Sequence, residues 1–223
     1  LDSKIMTFGL DEEHSPTIFV KNIKDTENGG IYTVKLGDKP EATVESNLRG
    51  SHNVTNVMPC VLVSSYLGMT REEIIKAIET LPQTIRIYKY GKCDVIDDSY
   101  NSNPNGFRAM LDFITKFKYE RKRIVLTRGM LELGERSNEI HEQMAGEIAY
   151  TTDELVLITP DFEEPIRKGA VGLKYNLDIK TIFEPEKLLK YIKSLKETDA
   201  VILLENRIPS IVIDEIKNNS KEI

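Results

Sequence analysis

Residues 93–111 read CDVIDDSYNSNPNGFRAML, which predicts a buried strand, a polar turn and an amphipathic helix. The strand is indicated by the apolar run around residues 95–96, and the helix by the apolar spacing that follows Pro104. Residues 97–103 must then form the strand-to-helix turn, in which Asn103 can cap the helix and Pro104 suits its first position. A capped turn accounts for Asn103 and Pro104, but not for the DDSYN run. Because open α/β sheets bind ligands outside the carboxyl ends of their strands, this turn is a candidate ligand site.

The chain beyond residue 83 continues the same alternation of strand and helix. Such alternation predicts an α/β fold with a Rossmann-like, mostly parallel sheet and helices on both faces. Residues 124–126 and 201–204 are apolar, as expected for central strands covered on both sides. The predicted strands lie near 93–97, 123–127, 154–159, 179–183 and 200–204. The predicted helices are 104–118, 137–150, 162–170 and 185–196, followed by a helix or strand near 209–217 and a fraying tail at 217–222.

Residues 1–82 have a different organisation, with strands followed by helices. Three strands are predicted at 5–9, 17–23 and 31–36, with a turn at 27–30 between the last two. Because no helix is predicted between them, these strands suggest a meander. Helices are predicted at 53–67 and from Thr70, which would form a capping box with Glu73. The break after this helix places a domain boundary near residue 83.

Composition and charge disfavour several classes of protein. The 223 residues include 36 acidic and 30 basic residues, a net charge of -6, which disfavours sequence-independent binding to nucleic acid. No apolar run approaches the ~18 residues of a membrane span, and the N-terminus lacks the sections of a signal peptide. The two cysteines, Cys60 and Cys93, do not make a disulfide framework, so both are expected to be buried and reduced in a cytoplasmic protein.

Three motifs carry a resemblance to a known family. Residues 97–104 read DDSYNSNP, residues 50–56 read GSHNVTN and residues 130–135 read MLELGE. These motifs resemble those of the Mur ligases, the ATP-dependent amide ligases of cell-wall precursor synthesis, whose usual forms are DDSYNANP, GxHNxxN and MLELGE. The chain looks most similar to the type that adds D-alanyl-D-alanine to a UDP-muramoyl tripeptide. The resemblance runs over most of the chain and fades towards the C-terminus.

The resemblance implies an enzyme that uses ATP and Mg2+ to phosphorylate a carboxylate, after which an amine attacks the acyl phosphate. Its partners would be a UDP-linked muramoyl peptide and the amine acceptor. Residues 1–82 would be the end of the central ATPase domain, and residues 83–223 the C-terminal Rossmann-like domain, which closes over the nucleotide as a lid. The sequence contains no GxxxxGK[ST] phosphate loop, so the chain is expected to be a fragment that is inactive alone, or else a degenerate relative.

The resemblance also assigns nucleotide-binding residues, and no catalytic residue or metal ligand. Asp98 would accept hydrogen bonds from the ribose hydroxyls, and Arg86 would bind the nucleotide phosphates through its guanidinium fork. On the same loop as Asp98, Tyr100 would pack against the nucleotide and Asn101 would hold the loop's shape. The edge of the adenine pocket would be formed by His52, Asn53 and Asn56.

From the residues alone, several of these positions have other interpretations. Arg86 is equally an exposed side chain on an edge strand, and His52 is equally a helix cap or a core partner. Asp97 could be structural, accepting hydrogen bonds from the amides of the turn. Residues 130–135 follow the next strand, so they are expected at the same edge beside the first loop, where they would form a wall of the site or simply pack.

Two departures from the family weaken the prediction of the acceptor. Residues 127–130 read TRGM where the family usually has GDM, and residues 204–209 read LENRIP where the D-alanyl-D-alanine type usually has a KGSR-like loop. A Mur-type ligase with a different amine, such as a peptide of another wall polymer or a polyglutamate chain, is therefore one alternative. Another is a non-catalytic nucleotide-binding module that kept the fold and lost the chemistry.

Overall fold

The computed structural model describes residues 5–10, 13–26, 29–48, 51–82, 85–100, 102–117, 120–172 and 177–223, without the side chains of residues 25, 51 and 52. The chain divides into two compact units, Leu1–Thr84 and Ile85–Ile223. In the described part of either unit, no helix is long and apolar enough to cross a membrane.

The first unit is a four-stranded sheet followed by two helices. The strands lie in the order β1 (Phe8–Gly9), β2 (Ile18–Thr26), β3 (Gly29–Leu36) and β4 (Ala42–Ser46). The last three form an antiparallel meander, as predicted, but β1 pairs with β2 in parallel. The predicted meander is therefore wrong for β1. The alternation of apolar and polar residues indicates a strand, but it does not show whether that strand runs parallel or antiparallel to its neighbour.

The two helices of the first unit are α1 (Ser51–Tyr66) and α2 (Arg71–Glu79), and α2 has the predicted capping box. Because α1 begins at Ser51, His52 lies inside the helix and not before it. Cys60 is exposed, so the prediction that both cysteines are buried is wrong for this residue. Met58 of the same helix is buried in the core, and two helical residues span about 200°, which turns Cys60 away from that core.

The second unit is a seven-stranded sheet. Five of its strands run parallel, in the spatial order β6, β10, β7, β8 and β9, while β5 is antiparallel to β6 and β11 is antiparallel to β5. The strands are β5 (Arg86–Tyr90), β6 (Cys93–Asp98), β7 (Lys122–Thr127), β8 (Glu154–Leu157), β9 (Asp178–Thr181), β10 (Ala200–Glu205) and β11 (Lys221–Glu222). The predicted mostly parallel α/β sheet is confirmed.

Helices cover both faces of this sheet and enclose two apolar cores. The helices are α3 (Pro104–Lys116), α4 (Ser137–Thr151), α5 (Glu163–Ala170), α6 (Pro185–Ser194) and α7 (Ser210–Asn218). One core packs α3, α4 and α5 against one face, and the other packs α6 and α7 against the opposite face. Asn103 caps α3 as predicted, its side chain accepting hydrogen bonds from the backbone of Asn105 and Gly106. Cys93 is buried, as predicted.

The C-terminal residues are ordered, contrary to the predicted fraying tail. Helix α7 continues to Asn218, and β11 then pairs with the edge strand β5. Ile223 also donates a backbone hydrogen bond of 2.9 Å to the carbonyl of Ile87. The prediction failed because polar composition does not show whether an unpaired strand edge lies nearby.

Candidate functional site

The carboxyl ends of β6, β10 and β7 form one edge of the sheet in the second unit. Glu205 at the end of β10 is in register with Asp98 of β6 on one side and with Thr127 of β7 on the other. The residues two positions earlier in all three strands belong to the core under α3 and α4. Because strand side chains alternate between faces, these three polar residues form a row on the α3 side of the edge.

Asp98 and Glu205 bring two carboxyl groups together in this row. Glu205 is completely buried, and Asp98 is partly buried. The hydroxyl of Ser102 donates a hydrogen bond to Oε1 of Glu205, whereas Oε2 is buried and accepts no hydrogen bond from a described residue. Burial raises the pKa of Asp98 to about 6. Burial, and then the negative charge of Asp98, raise the pKa of Glu205 well above its ordinary value.

The loop after β10 joins the loops that follow β6 and β7. Asn206 and Arg207 both have left-handed backbone conformations, with φ of +55° and +47°. Their backbone amides donate to the carbonyls of Asp98 and Ser99, at 3.3 and 2.6 Å, and the Asn206 side chain donates to the carbonyl of Gly129. The expectation that residues 130–135 lie directly beside the first loop is therefore wrong, because β10 and its loop lie between them.

Asp97 holds the turn, in agreement with its structural interpretation. Its Oδ1 accepts hydrogen bonds from the backbone amide of Ser99 at 3.2 Å and from the Ser99 hydroxyl at 2.5 Å. Lys217 of α7 lies 3.9 Å from its other oxygen. Asp97 therefore faces α7, on the side of the sheet opposite to Asp98.

Arg86 is an exposed residue at the start of β5, in register with Asp97. Its guanidinium pKa is raised, first by the Tyr88 hydroxyl and then by the carboxylates of Glu222 and Asp97. By strand alternation, Arg86 lies on the α7 side with Asp97. Arg86 and Asp98 therefore share the carboxyl edge but occupy opposite faces of the sheet.

His141 of α4 holds the loop that follows β7. Its Nε2 accepts the backbone N–H of Met130 at 3.0 Å, and its Nδ1 lies 2.7 Å from the carbonyl of Ser137, which assigns the neutral tautomer protonated at Nδ1. The ring stacks on Phe162 with centroids 4.0 Å apart, and burial lowers the pKa of His141. Met130 is itself buried, so this start of the MLELGE motif packs in the core.

The remaining predicted residues occupy varied places. Tyr100 is 93% exposed on the loop after β6. Asn53 and Asn56 lie on α1 in the first unit, half-buried and exposed respectively. The side chain of His52, and all of Asn101, lie outside the described residues. Among the described residues of the second unit, Arg86, Asp98 and Tyr100 of the predicted set lie at or next to this carboxyl edge.

Sequence reasoning placed Ser102 in the turn at this edge but did not single out Ser102, Glu205 or Asn206 as site residues. A carboxylate directly after the apolar run of residues 201–204 was an available signal, because a charged residue at a strand end is expected at the sheet's edge. Its partner could not be read from the sequence, since the placement of β10 between β6 and β7 is not a local property.

The chemistry of this edge fits a nucleotide. A partly exposed carboxylate at Asp98 can accept from hydroxyl groups, an exposed guanidinium at Arg86 suits phosphate oxygens, and the open ring of Tyr100 offers a stacking surface. In the described residues, no group of three or more His, Cys, Asp or Glu side chains could hold a metal ion. None of these side chains is therefore assigned to Mg2+.

Parts of this chain match a family model and a known protein. A family model for the "Mur ligase, glutamate ligase domain" matches residues 82–205, which are 124 of the 223 residues. The UDP-N-acetylmuramoyl-tripeptide--D-alanyl-D-alanine ligase of Borreliella burgdorferi is 32% identical over 120 residues, which are 52% of this chain and 26% of that protein.

Two solved structures have the same fold. MurF from Acinetobacter baumannii matches with a TM-score of 0.74 and 20% identity, over 96% of this chain and 47% of that one. The MurF ligase of Thermotoga maritima, in complex with ADP, matches with a TM-score of 0.69 and 22% identity, over 96% and 48%. The match covers less than half of the length of each of these three relatives. Because the family model covers more than half of the sequence, this chain belongs to the Mur ligase family.

Proposed function

We propose that this chain supplies the nucleotide-binding C-terminal domain of an ATP-dependent amide ligase of cell-wall precursor synthesis. The proposal is carried by the family match of residues 82–205, which contains the polar carboxyl edge around Asp98. It is supported by a relative named as a ligase of UDP-muramoyl tripeptide and D-alanyl-D-alanine, and by a solved relative in complex with ADP. The whole enzyme would act in the cytoplasm, where ATP and Mg2+ activate a carboxylate of the UDP-linked peptide for attack by an amine.

In this proposal, the residues of the second unit bind and orient the nucleotide. Asp98 accepts hydrogen bonds from the ribose hydroxyls, Arg86 neutralises phosphate charge, and Tyr100 covers the nucleotide. Since Arg86 and Asp98 lie on opposite faces at one edge, a nucleotide that contacts both must lie across the ends of β5 and β6. None of these groups transfers a proton, so their contribution is positioning and charge neutralisation.

The first unit contributes the end of the central ATPase domain in this proposal. Its residues His52, Asn53 and Asn56 form the edge of the adenine pocket, where amide groups supply both a donor and an acceptor. The second unit, taken as residues 83–223, is the C-terminal Rossmann-like domain of the same enzyme. Asn101 keeps the role of shaping the loop after β6.

The amine acceptor is proposed to be a dipeptide or an amino acid, as in the D-alanyl-D-alanine type, and the alternative is a different amine, from another wall polymer or a polyglutamate chain. Where the D-alanyl-D-alanine type usually has a KGSR-like loop, this chain has Glu205, Asn206 and Arg207. Glu205 is buried and Asn206 is tied to the neighbouring loops, so the changed residues are built into the edge. The departure of residues 204–209 from a KGSR-like sequence favours the alternative of a different acceptor.

The test is phosphate release from ATP by the longest natural form of this chain, with Mg2+ and a panel of UDP-muramoyl peptides and amines. One pair should give turnover. Asp98→Ala and Arg86→Ala should each raise the KM for ATP about tenfold or more, because each removes a charge-assisted hydrogen bond worth roughly 1.5–3 kcal/mol. The matched controls are Asp112→Ala and Arg167→Ala, which alter exposed side chains on α3 and α5.

The outcomes of this test distinguish the candidate functions. Turnover with D-alanyl-D-alanine would assign that acceptor, and turnover only with another amine would keep the ligase and change its substrate. Nucleotide binding without turnover on any pair would favour the non-catalytic module. If the protein neither binds ATP nor releases phosphate, both functions are rejected.

A further inference from the structure

Two buried glutamates of the second unit have opposite surroundings. Glu154 is 1% exposed and accepts hydrogen bonds from Lys122 at 2.6 Å, from Lys180 and from Tyr191. Burial would raise the pKa of Glu154, but these partners outweigh it and lower the pKa, so this carboxylate is ionised. Glu205 is equally buried, yet in the described part of the chain no lysine or arginine forms an ion pair with it.

The partner that Glu205 does have is another acid. Asp98 is its register neighbour on the same face of the sheet, and the two carboxyl groups are within hydrogen-bonding reach of each other. Oε1 of Glu205 accepts from Ser102, while Oε2 is buried without a donor among the described residues. Two ionised carboxylates in this position would repel each other in a medium of low polarity. One proton between them removes the repulsion and satisfies Oε2.

We propose that Glu205 is protonated at neutral pH and donates a hydrogen bond from Oε2 to the carboxylate of Asp98, which makes Glu205 a positioning residue for Asp98. The pair then carries a single negative charge. One oxygen of Asp98 is held by Glu205, and the other is directed to a ligand hydroxyl. The positioning role rests on the proposed function, in which Asp98 binds the ribose, whereas the shared proton does not.

Among the described residues, no positively charged group contributes to the pKa of either carboxyl group of the pair. Asp97 of β6 is negative, Ser102 is a neutral donor, and neutral His141 of α4 is committed to the loop after β7. The remaining buried acceptor is Oδ1 of Asn206, which has no donor among the described residues. A monovalent cation or a water molecule bound to Oε2 of Glu205 would compete with the proton.

The proton can be observed directly by carbon-13 NMR of the glutamate side-chain carboxyl groups in the wild-type chain, titrated from about pH 5 to about pH 9. We expect one glutamate carboxyl to remain protonated at pH 7. Its signal should be absent in Glu205→Gln and present in Glu139→Gln, a control on the exposed face of α4. If Glu205→Gln does not fold, the wild-type titration alone decides. Ionisation of every glutamate by pH 7, or displacement of the protonated signal by potassium, would overturn the proposal.

The positioning role is tested by nucleotide affinity as a function of pH in the longest natural form. Wild-type affinity should fall about tenfold per pH unit once the pair releases its proton, because binding requires the protonated form. Glu205→Gln should lack this fall, since its amide donates to Asp98 and does not titrate. A residue with a purely structural role would leave the wild-type profile flat.

The two experiments separate failure of this inference from failure of the proposed function. A flat pH profile with normal nucleotide binding overturns the positioning role and leaves the proposed function intact. Absence of nucleotide binding at every pH overturns both the proposed function and the positioning role, while the NMR titration still decides whether the proton is shared.

Discussion

Gly129 lies where a single methyl group should disturb the carboxyl edge. Its φ is +81°, and an added Cβ would lie 2.4 Å from Cδ2 of Phe162 and 2.9 Å from Nε2 of His141. Gly134, in the same connection between β7 and α4, has a φ of +58°, and no described heavy atom lies within 4 Å of its added Cβ. Gly129→Ala and Gly134→Ala are therefore a matched pair that differ in packing and share the backbone conformation.

The difference in unfolding free energy between the two variants follows from the energy terms that only one of them has. Alanine in a left-handed conformation costs roughly 1–2 kcal/mol at either position, and reduced freedom of the unfolded chain offsets about 0.4–1 kcal/mol of this in both. At Gly129 alone, overpacking adds about 1–3 kcal/mol. Displacement of His141 would also remove its hydrogen bond to Met130, worth about 1 kcal/mol. We therefore expect Gly129→Ala to be about 2–4 kcal/mol less stable than Gly134→Ala.

The assay should report on the second unit only. The thiol of Cys93 is buried there, so its reaction with a thiol reagent in increasing urea follows the opening of that unit once Cys60 has been blocked. The expected result is a clear loss of unfolding free energy in Gly129→Ala relative to Gly134→Ala. Equal losses in the two variants would refute the argument, because they would show that the contacts with Phe162 and His141 carry no cost.

Two further predictions concern titratable groups. Burial lowers the pKa of His141 from 6.5, so the imidazole binds a proton more readily in the unfolded chain than in the folded one. The contribution of neutral His141 to the free energy of unfolding is therefore complete above pH 6.5 and decreases as the pH falls below 6.5. The slope cannot exceed about 1.4 kcal/mol per pH unit, the limit for one proton, and it should be absent in His141→Gln in pH-dependent urea unfolding. For the thiols, a disulfide reagent should modify Cys60 rapidly in the native chain, whereas Cys93 should react only on unfolding, since burial raises its pKa to about 11. Rapid native modification of both thiols would contradict the packing of Cys93 against the carbonyls of Leu195 and Thr198.

The secondary structure of the second unit could be predicted because its signals are local. The central strands β7, β8 and β10 contain short apolar runs, the helices carry apolar stripes, and Asn103 and Pro104 mark the start of α3 in the sequence itself. The same local signal located Asp98 near the carboxyl end of a buried strand, although β6 extends through Asp98 and the loop begins after it. Predictions failed where they needed a neighbour in space, as for the parallel pairing of β1 and the pairing of β11 with β5.

Local patterning of residues was thus sufficient for the α/β class, for most element positions and for the strand end that contains Asp98. Strand order, and with it the identity of the residues beside Asp98, came only from the folded arrangement. Ser102 and Glu205 are 103 positions apart, and they meet because β10 inserts between β6 and β7. Sequence periodicity describes which face of an element is apolar, whereas strand order depends on the packing of distant elements, so the buried acid pair is visible only in three dimensions.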